Sequence, residues 1–257
     1  GAVMLLTCNV AAFAALTEIS AEPVITRQSV SANPNLMFVL DESGSMAREY
    51  MPDEMTGTSN YGYKSAQCNG VAFDPDLKYL PPVDSGGNPY PDSTFTAAKD
   101  NGYSGSSATN LNNSDYYIYN GSQKKLDWTY AATGAVDTST TFYKECKSSV
   151  GNDPGKSKFD RVIVSTSGST AEERQKYANW YSYYRTRSLL MRAAVGREVK
   201  ELGTGYRVGF SRINSSGITD NIDFRDAKKF DATQKANFYS SLYSAEPGGG
   251  TPLRGAL

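Results

Sequence analysis

The feature that most constrains this chain is a junction. The apolar run Asn35-Leu36-Met37-Phe38-Val39-Leu40 passes without a spacer into Asp41-Glu42-Ser43-Gly44-Ser45-Met46. An almost continuous apolar run of that length, closed by a polar turn, predicts a strand buried on both faces of a parallel sheet. A carboxylate and two hydroxyls then stand at alternate positions, Asp41, Ser43 and Ser45, on a turn relaxed by Gly44. Oxygen donors of this kind suit a hard cation. In an open α/β sheet such a site belongs at the carboxyl ends of the strands.

Composition removes several rival chemistries. There is no histidine, which excludes Ser-His-Asp and Cys-His catalysis and nearly all zinc sites. With 26 basic and 27 acidic residues the charge is balanced, so nothing points to a nucleic-acid partner. Tyrosine is abundant at 18, and the stretch between positions 50 and 145 is crowded with Tyr, Asn, Ser, Gly and Pro, a mixture suited to hydrogen-bonded surface structure and contact surfaces. Of the three cysteines, Cys8 lies in an apolar N-terminal run, which leaves Cys68 and Cys146 to form one disulfide in an oxidising compartment or to remain two free buried thiols.

Taken in order, residues 1–21 resemble the apolar part of a secretory signal, with Ile19-Ser20-Ala21 as its small-residue cleavage site. The run is too short and interrupted for a stable membrane span. No basic stretch precedes it and the chain begins with Gly, so a remnant of a signal is expected. Thr7 before Cys8 argues against lipidation. Residues 47–168 show no sustained period. Turn signals recur there (Pro81-Pro82, Gly86-Gly87, Asn88-Pro89, Asn120-Gly121), with strand-like runs at Tyr116–Tyr119 and Arg161–Val164. So long a stretch is unusual as one loop, and its aromatics can bury surface, so an inserted, disulfide-stapled lobe is expected.

The pattern then changes. Thr170-Ala171-Glu172-Glu173 is a capping box, and helix formers continue to Leu202 before Gly203. Tyr177, Tyr181, Tyr184, Ser188, Met191, Val195 and Leu202 share one face. At 1.5 Å per residue the helix would run roughly 48 Å, so a bend near Tyr183–Arg185 is expected. Tyr206–Ile213 reads as a strand, Ile222–Phe224 as a short half-exposed one, and Asp231 caps a helix to about Ser244. Last comes Gly248-Gly249-Gly250-Thr251-Pro252-Leu253, with Thr251 and Pro252 placed to start another helix.

Asp41-x-Ser43-x-Ser45 with a distal Gly250-Thr251-Pro252 resembles the metal-ion-dependent adhesion site of von Willebrand factor A domains. More narrowly, the chain is similar to the N-terminal part of PilY-type proteins, the type IV pilus assembly factors and tip adhesins. That similarity rests on Glu22-Pro23, Pro34 to Met46, Ala178 to Arg187, Tyr206 to Phe210 and Gly250 to Arg254, and it spans most of 22–257. The resemblance implies an incomplete A domain over 22–257: a Rossmann-like, mostly parallel sheet interrupted by the 47–168 lobe. From the family's strand order 3-2-1-4-5-6 only strands 3, 2 and 1 would be present, with Leu36–Leu40 at an open edge. It implies that Ser43, Ser45 and Thr251 supply hydroxyl ligands to Mg²⁺ (or Mn²⁺ or Ca²⁺) directly or through water, with Asp41 acting mainly through water or by orienting the serines. The family's further aspartate is absent here, and the propeller with its calcium loop is not expected in this chain. Implied partners are minor pilins of the pilus tip and a host or abiotic surface ligand with an acidic group. The implied setting is the periplasm, outer membrane and cell surface, in pilus biogenesis, adhesion and twitching motility, with no enzymatic role.

Two rival functions remain open: a generic secreted A-domain adhesin unconnected with pili, and a metal-dependent chelatase-like enzyme subunit. The latter is disfavoured by the missing histidine, the export signal and the lack of a phosphate loop. Elsewhere, Asp84–Asn88 and Asn110–Asp115 read as plain turns and Trp180–Tyr184 as a packing stripe. Arg185, Arg187, Arg192, Arg197 and Lys200 read as a solvated helix face.

Overall fold

The computed structural model describes residues 33–121, 128–215, 217 and 219–252. The expected signal remnant, Cys8, Glu22-Pro23 and Leu253-Arg254 lie outside them. In chain order the elements are β1 (Asn35–Leu40), β2 (Ala98–Lys99), β3 (Ala108–Thr109), β4 (Ser114–Tyr119), α1 (Thr141–Lys147), β5 (Phe159–Val164), α2 (Ala171–Tyr183), α3 (Arg187–Val199), β6 (Arg207–Arg212), β7 (Phe224–Lys229) and α4 (Ala232–Tyr243). The result is a mixed α/β architecture with short sheets.

The first sheet has the order β1-β6-β7. β1 runs parallel to β6, with Phe38 opposite Phe210, and β7 returns antiparallel on the far side. β1 is therefore an edge strand among the described residues. Because paired residues of parallel strands share a face, Leu36, Phe38 and Leu40 point the same way as Val208 and Phe210. On that side α4 packs, with the Phe238 ring 5.2 Å from Phe38 and 5.6 Å from Phe210. Val199, Leu242 and Tyr243 complete this core.

The expectation that β1 is buried on both faces is corrected. Met37 and Val39, on the other face, are 46% and 42% exposed. Gly209, opposite Met37, offers no side chain beside it, and β1 has a neighbour on only one side. β7 also differs from the expected Ile222–Phe224. Its Arg225-Asp226-Ala227-Lys228-Lys229 run is polar because an edge strand keeps half its surface in water.

Helix limits follow their caps. The hydroxyl of Thr170 accepts from Glu173 N at 3.1 Å, with Glu172 and Glu173 in the positive first turn of α2. Thr186 does the same for Leu189 N at 3.1 Å, and Asp231 for Gln234 N at 3.0 Å. The expected bend is a complete break at Tyr184–Thr186, so one apolar face serves two cores. α3 presents Met191 and Val195 to the sheet, while α2 presents Tyr177, Trp180, Tyr181 and Tyr184 to residues 73–116.

Between β1 and α2 the chain builds its own cores. β4 and β5 pair antiparallel from Ser114↔Val164 to Tyr119↔Phe159. Tyr61 stacks on Phe159 at 5.1 Å beside the Cys68–Cys146 disulfide. The bond joins this segment to α1, an element that the sequence reading omitted.

The cations of α3 and its approach also need correction. Arg192 is 1% exposed and donates to Tyr243 O at 3.1 Å. Arg185 donates to Asp100 O (2.9 Å), Arg187 to Tyr50 O (2.7 Å) and Arg197 to Pro81 O (3.0 Å). An arginine can lay its apolar stem along a packed surface and satisfy backbone carbonyls with its planar fork. These four staple the helices to neighbouring segments, and Lys200 alone remains at the surface, paired with Glu201.

Candidate functional site

The chain leaves the carboxyl end of β1 beside that of β6, where Ile213 N donates to Leu40 O at 2.8 Å. It turns immediately. Asp41 Oδ1 accepts from Ser43 N at 2.8 Å, an Asx turn that spares the buried amide a lost partner. A 3-10 turn over Gly44–Ala47 follows, and the Ser43 and Ser45 hydroxyls are hydrogen-bonded to each other at 3.0 Å. Ser43 is buried and Ser45 half-buried.

The glycine loop after α4 is tied to this turn. Gly248 N donates to Glu42 O at 2.7 Å, and Gly44 N donates to Gly249 O at 3.2 Å. Gly249 has φ +71°, a left-handed conformation that a side chain would strain. Asn214, just past β6, donates from Nδ2 to Gly248 O at 3.2 Å. Loops from β1, β6 and α4 thus meet at one corner. Thr251 is exposed and two residues beyond the Gly249 carbonyl, within about 7 Å of it by chain reach.

Beside the turn lies a cavity of about 370 Å³ lined by Glu42, Arg212, Asn214, Asp223, Glu246 and Gly249. Arg212 stands 3.5 Å from Glu42 and 2.8 Å from Asp223. Burial raises the Glu42 carboxyl above its usual range, Arg212 opposes, and Asp223 and Asp41 reinforce the rise. Sequence reading omitted Asn214, Glu42, Arg212 and Asp223. The signal for Arg212 and Asn214 was present, since both sit at the carboxyl end of a strand neighbouring β1.

The donor set suits a hard cation. Oxygens around a six-coordinate ion with bonds of about 2.1 Å lie about 3.0 Å apart along each edge, the separation of the two serine hydroxyls. Among the described residues no group of three or more His, Cys, Asp or Glu is arranged to hold a metal. A cation at this corner would therefore depend on hydroxyl and water oxygens with Asp41 as its carboxylate. The Asp84–Asn88 segment is a turn closed by Asp84 Oδ1 on the amides of Gly86 (2.8 Å) and Asn88 (2.9 Å). Asn112 Oδ1 in the other candidate turn accepts from Thr166 N at 2.8 Å.

No family model matches the chain, and no solved structure matches it. It is similar to the type IV pilus biogenesis factor PilY1 of Pseudomonas aeruginosa. In strain PAO1 the identity is 33%, covering 95% of this chain and 21% of the relative. In strain PAK it is 32% over 95% of this chain and 22% of the relative. In strain UCBPP-PA14 it is 30% over 93% and 21%. The chain thus spans about a fifth of the length of the curated relatives it matches, and over that span it is a PilY1-type sequence.

Proposed function

We propose that this chain is an exported, non-enzymatic contact module of a type IV pilus biogenesis factor and that it uses a metal-ion-dependent adhesion site. The reading is supported by similarity to PilY1 and by the corner geometry. The observation that carries it is the approach of the Ser43 and Ser45 hydroxyls to 3.0 Å on a turn fixed by Asp41. The edge position of β1 in the order β1-β6-β7 is compatible with the strand order 3-2-1 that the resemblance implies.

In this reading Ser43 and Ser45 offer hydroxyl oxygens, Asp41 orients them and holds water, and Thr251 closes the shell from the glycine loop. With Mg²⁺, Mn²⁺ or Ca²⁺ held by these residues, the corner would supply positive charge able to accept a carboxylate of a partner. Arg212 keeps Glu42 and Asp223 engaged with itself, which leaves Asp41 as the carboxylate of the turn. The partners would be minor pilins of the pilus tip and acidic groups on a host or abiotic surface.

Calorimetric titration with Mn²⁺ and Mg²⁺ tests the site. Asp41→Ala should weaken binding at least about tenfold, the loss of roughly 1.4 kcal/mol or more, while secretion is kept and the unfolding midpoint falls only by what the Ser43 amide loses as its partner. Unchanged affinity refutes the site. Fractionation with sheared pili tests the pilus role separately. Absence from the pilus fraction, with metal binding intact, would favour a secreted adhesin unconnected with pili.

A further inference from the structure

A second cavity, about 350 Å³, opens between α2 and the segment before it, away from the corner just described. Phe73 and Tyr116 are at its base, with Trp180, Tyr181 and Tyr63 on its walls. The polar tips of the wall residues are tied back into the protein. Trp180 Nε1 donates to Val71 O at 2.9 Å. The Tyr181 hydroxyl is held by Asp100 at 3.1 Å and Thr109 at 3.2 Å, and Tyr63 Oη donates to Glu49 at 3.2 Å. Burial, with Glu49 reinforcing, pushes the Tyr63 phenol up to about 12, and burial raises Tyr116 further, so both rings stay neutral. What these residues turn toward the cavity is ring surface.

The rim is charged but internally balanced. Arg185 Nε meets Glu49 at 2.9 Å, and Arg185 also lies over the Tyr181 ring at 4.2 Å. Lys64 Nζ meets Asp115 at 2.5 Å, and Arg161 meets the same carboxylate at 2.6 Å. An anionic ligand would find every cation already engaged, and a cationic ligand would find both carboxylates engaged. A purely apolar ligand would strip water from four charged groups at a cost nothing repays. Yet the rim retains hydrogen-bonding capacity. Glu49 is 43% exposed through its side chain and Lys64 45%. An ammonium has three donors and a carboxylate about four acceptor sites, more than these pairs consume.

An aromatic wall beneath a neutral but hydrogen-bonding rim selects a ligand that is itself two-sided. One face must be C–H surface that can lie on ring faces, and the edge must be uncharged hydroxyls. We propose that this cavity is a binding site for an uncharged saccharide ring. The apolar face of the pyranose lies toward Trp180 and Tyr181, and its hydroxyls reach Glu49, Lys64 and Asp115. The site is independent of the cation corner, since none of its residues belongs to that turn.

Saturation-transfer NMR on the whole chain tests this with glucose, galactose, mannose, N-acetylglucosamine and lactose, alongside N-acetylneuraminic acid and a tyrosine-containing tripeptide. At least one neutral sugar should receive saturation and bind with a Kd in the millimolar range. Lys64→Gln, a change at the exposed mouth, should weaken it about tenfold, the loss of one hydrogen bond from a charged group. Trp180→Phe should do so while leaving the unfolding midpoint within a few degrees of the parent. Asp41→Ala should leave sugar binding untouched, which keeps this result separable from the cation site. No transfer to any neutral sugar overturns the proposal, as does transfer that Lys64→Gln and Trp180→Phe both leave unchanged. Preferential binding of the sialic acid or the tripeptide replaces it with an anion or peptide site.

Discussion

Asp115 holds Lys64 and Arg161 at once, each within hydrogen-bond reach. Burial pushes its carboxyl up, but the hydrogen bonds and charges of those two cations outweigh it and leave the group below the usual carboxylate range. A folded value below the unfolded one means that the stabilisation is complete at neutral pH and is lost as pH falls through the folded value. Both cations are about half exposed, so the contribution is about 1 kcal/mol. Asp115→Asn should accordingly lower the urea midpoint at pH 7, and its difference from the parent should shrink as pH falls through the folded value of the carboxyl, below the usual carboxylate range. A deficit that stays constant into acid would refute the assignment. At this scale the sequence was legible where chemistry is local. The turn shared by Asp41, Ser43 and Ser45 was readable because their spacing is local. Arg192 was misread because charge is visible in a sequence, whereas a guanidinium lying 4.9 Å over the Tyr103 ring is a contact across about 90 residues.

Between α3 and α4 the packing hinges on Gly196. Tyr239 Oη donates to Gly196 O at 2.5 Å, and a Cβ on Gly196 would come within 2.0 Å of Tyr243 Oη. That hydroxyl is itself committed to Val83 O at 2.6 Å, so it has little freedom to retreat. Helix propensity alone would make Gly196→Ala stabilising by about 1 kcal/mol, whereas overpacking costs about 1–3 kcal/mol. The clash should win, giving a net loss by urea denaturation. A gain in stability would mean that the helices separate freely. Elements with strong local signals were readable: Thr170 and Asp231 announced α2 and α4, and the excessive length of the α2–α3 run announced its break. The two-residue strands β2 and β3 carry no periodicity at all. β7 was displaced because its Arg225–Lys229 run is polar, and its place is set by pairing with β6.

At the scale of the whole molecule two apolar cores lie on consecutive helices, the sheet core on α3 and an aromatic core on α2. A further core, around Tyr61, Tyr119 and Phe159, holds the Cys68–Cys146 bond, a link over a sequence separation of 78. Replacing both cysteines by serine restores that loop's freedom to the unfolded chain and should cost about 4–5 kcal/mol by urea unfolding. Loss of less than about 1 kcal/mol would show that the aromatic contacts suffice alone. Neither sulfur-bearing residue has any exposed surface. A reductant or oxidant cannot meet these sulfurs once the tyrosines have closed around them. Making or breaking the bond requires the chain around it to open, locally or globally. Recombinant material from a reducing compartment and from an oxidising one should therefore be two long-lived preparations of one sequence, each carrying a chemical memory of where it first folded.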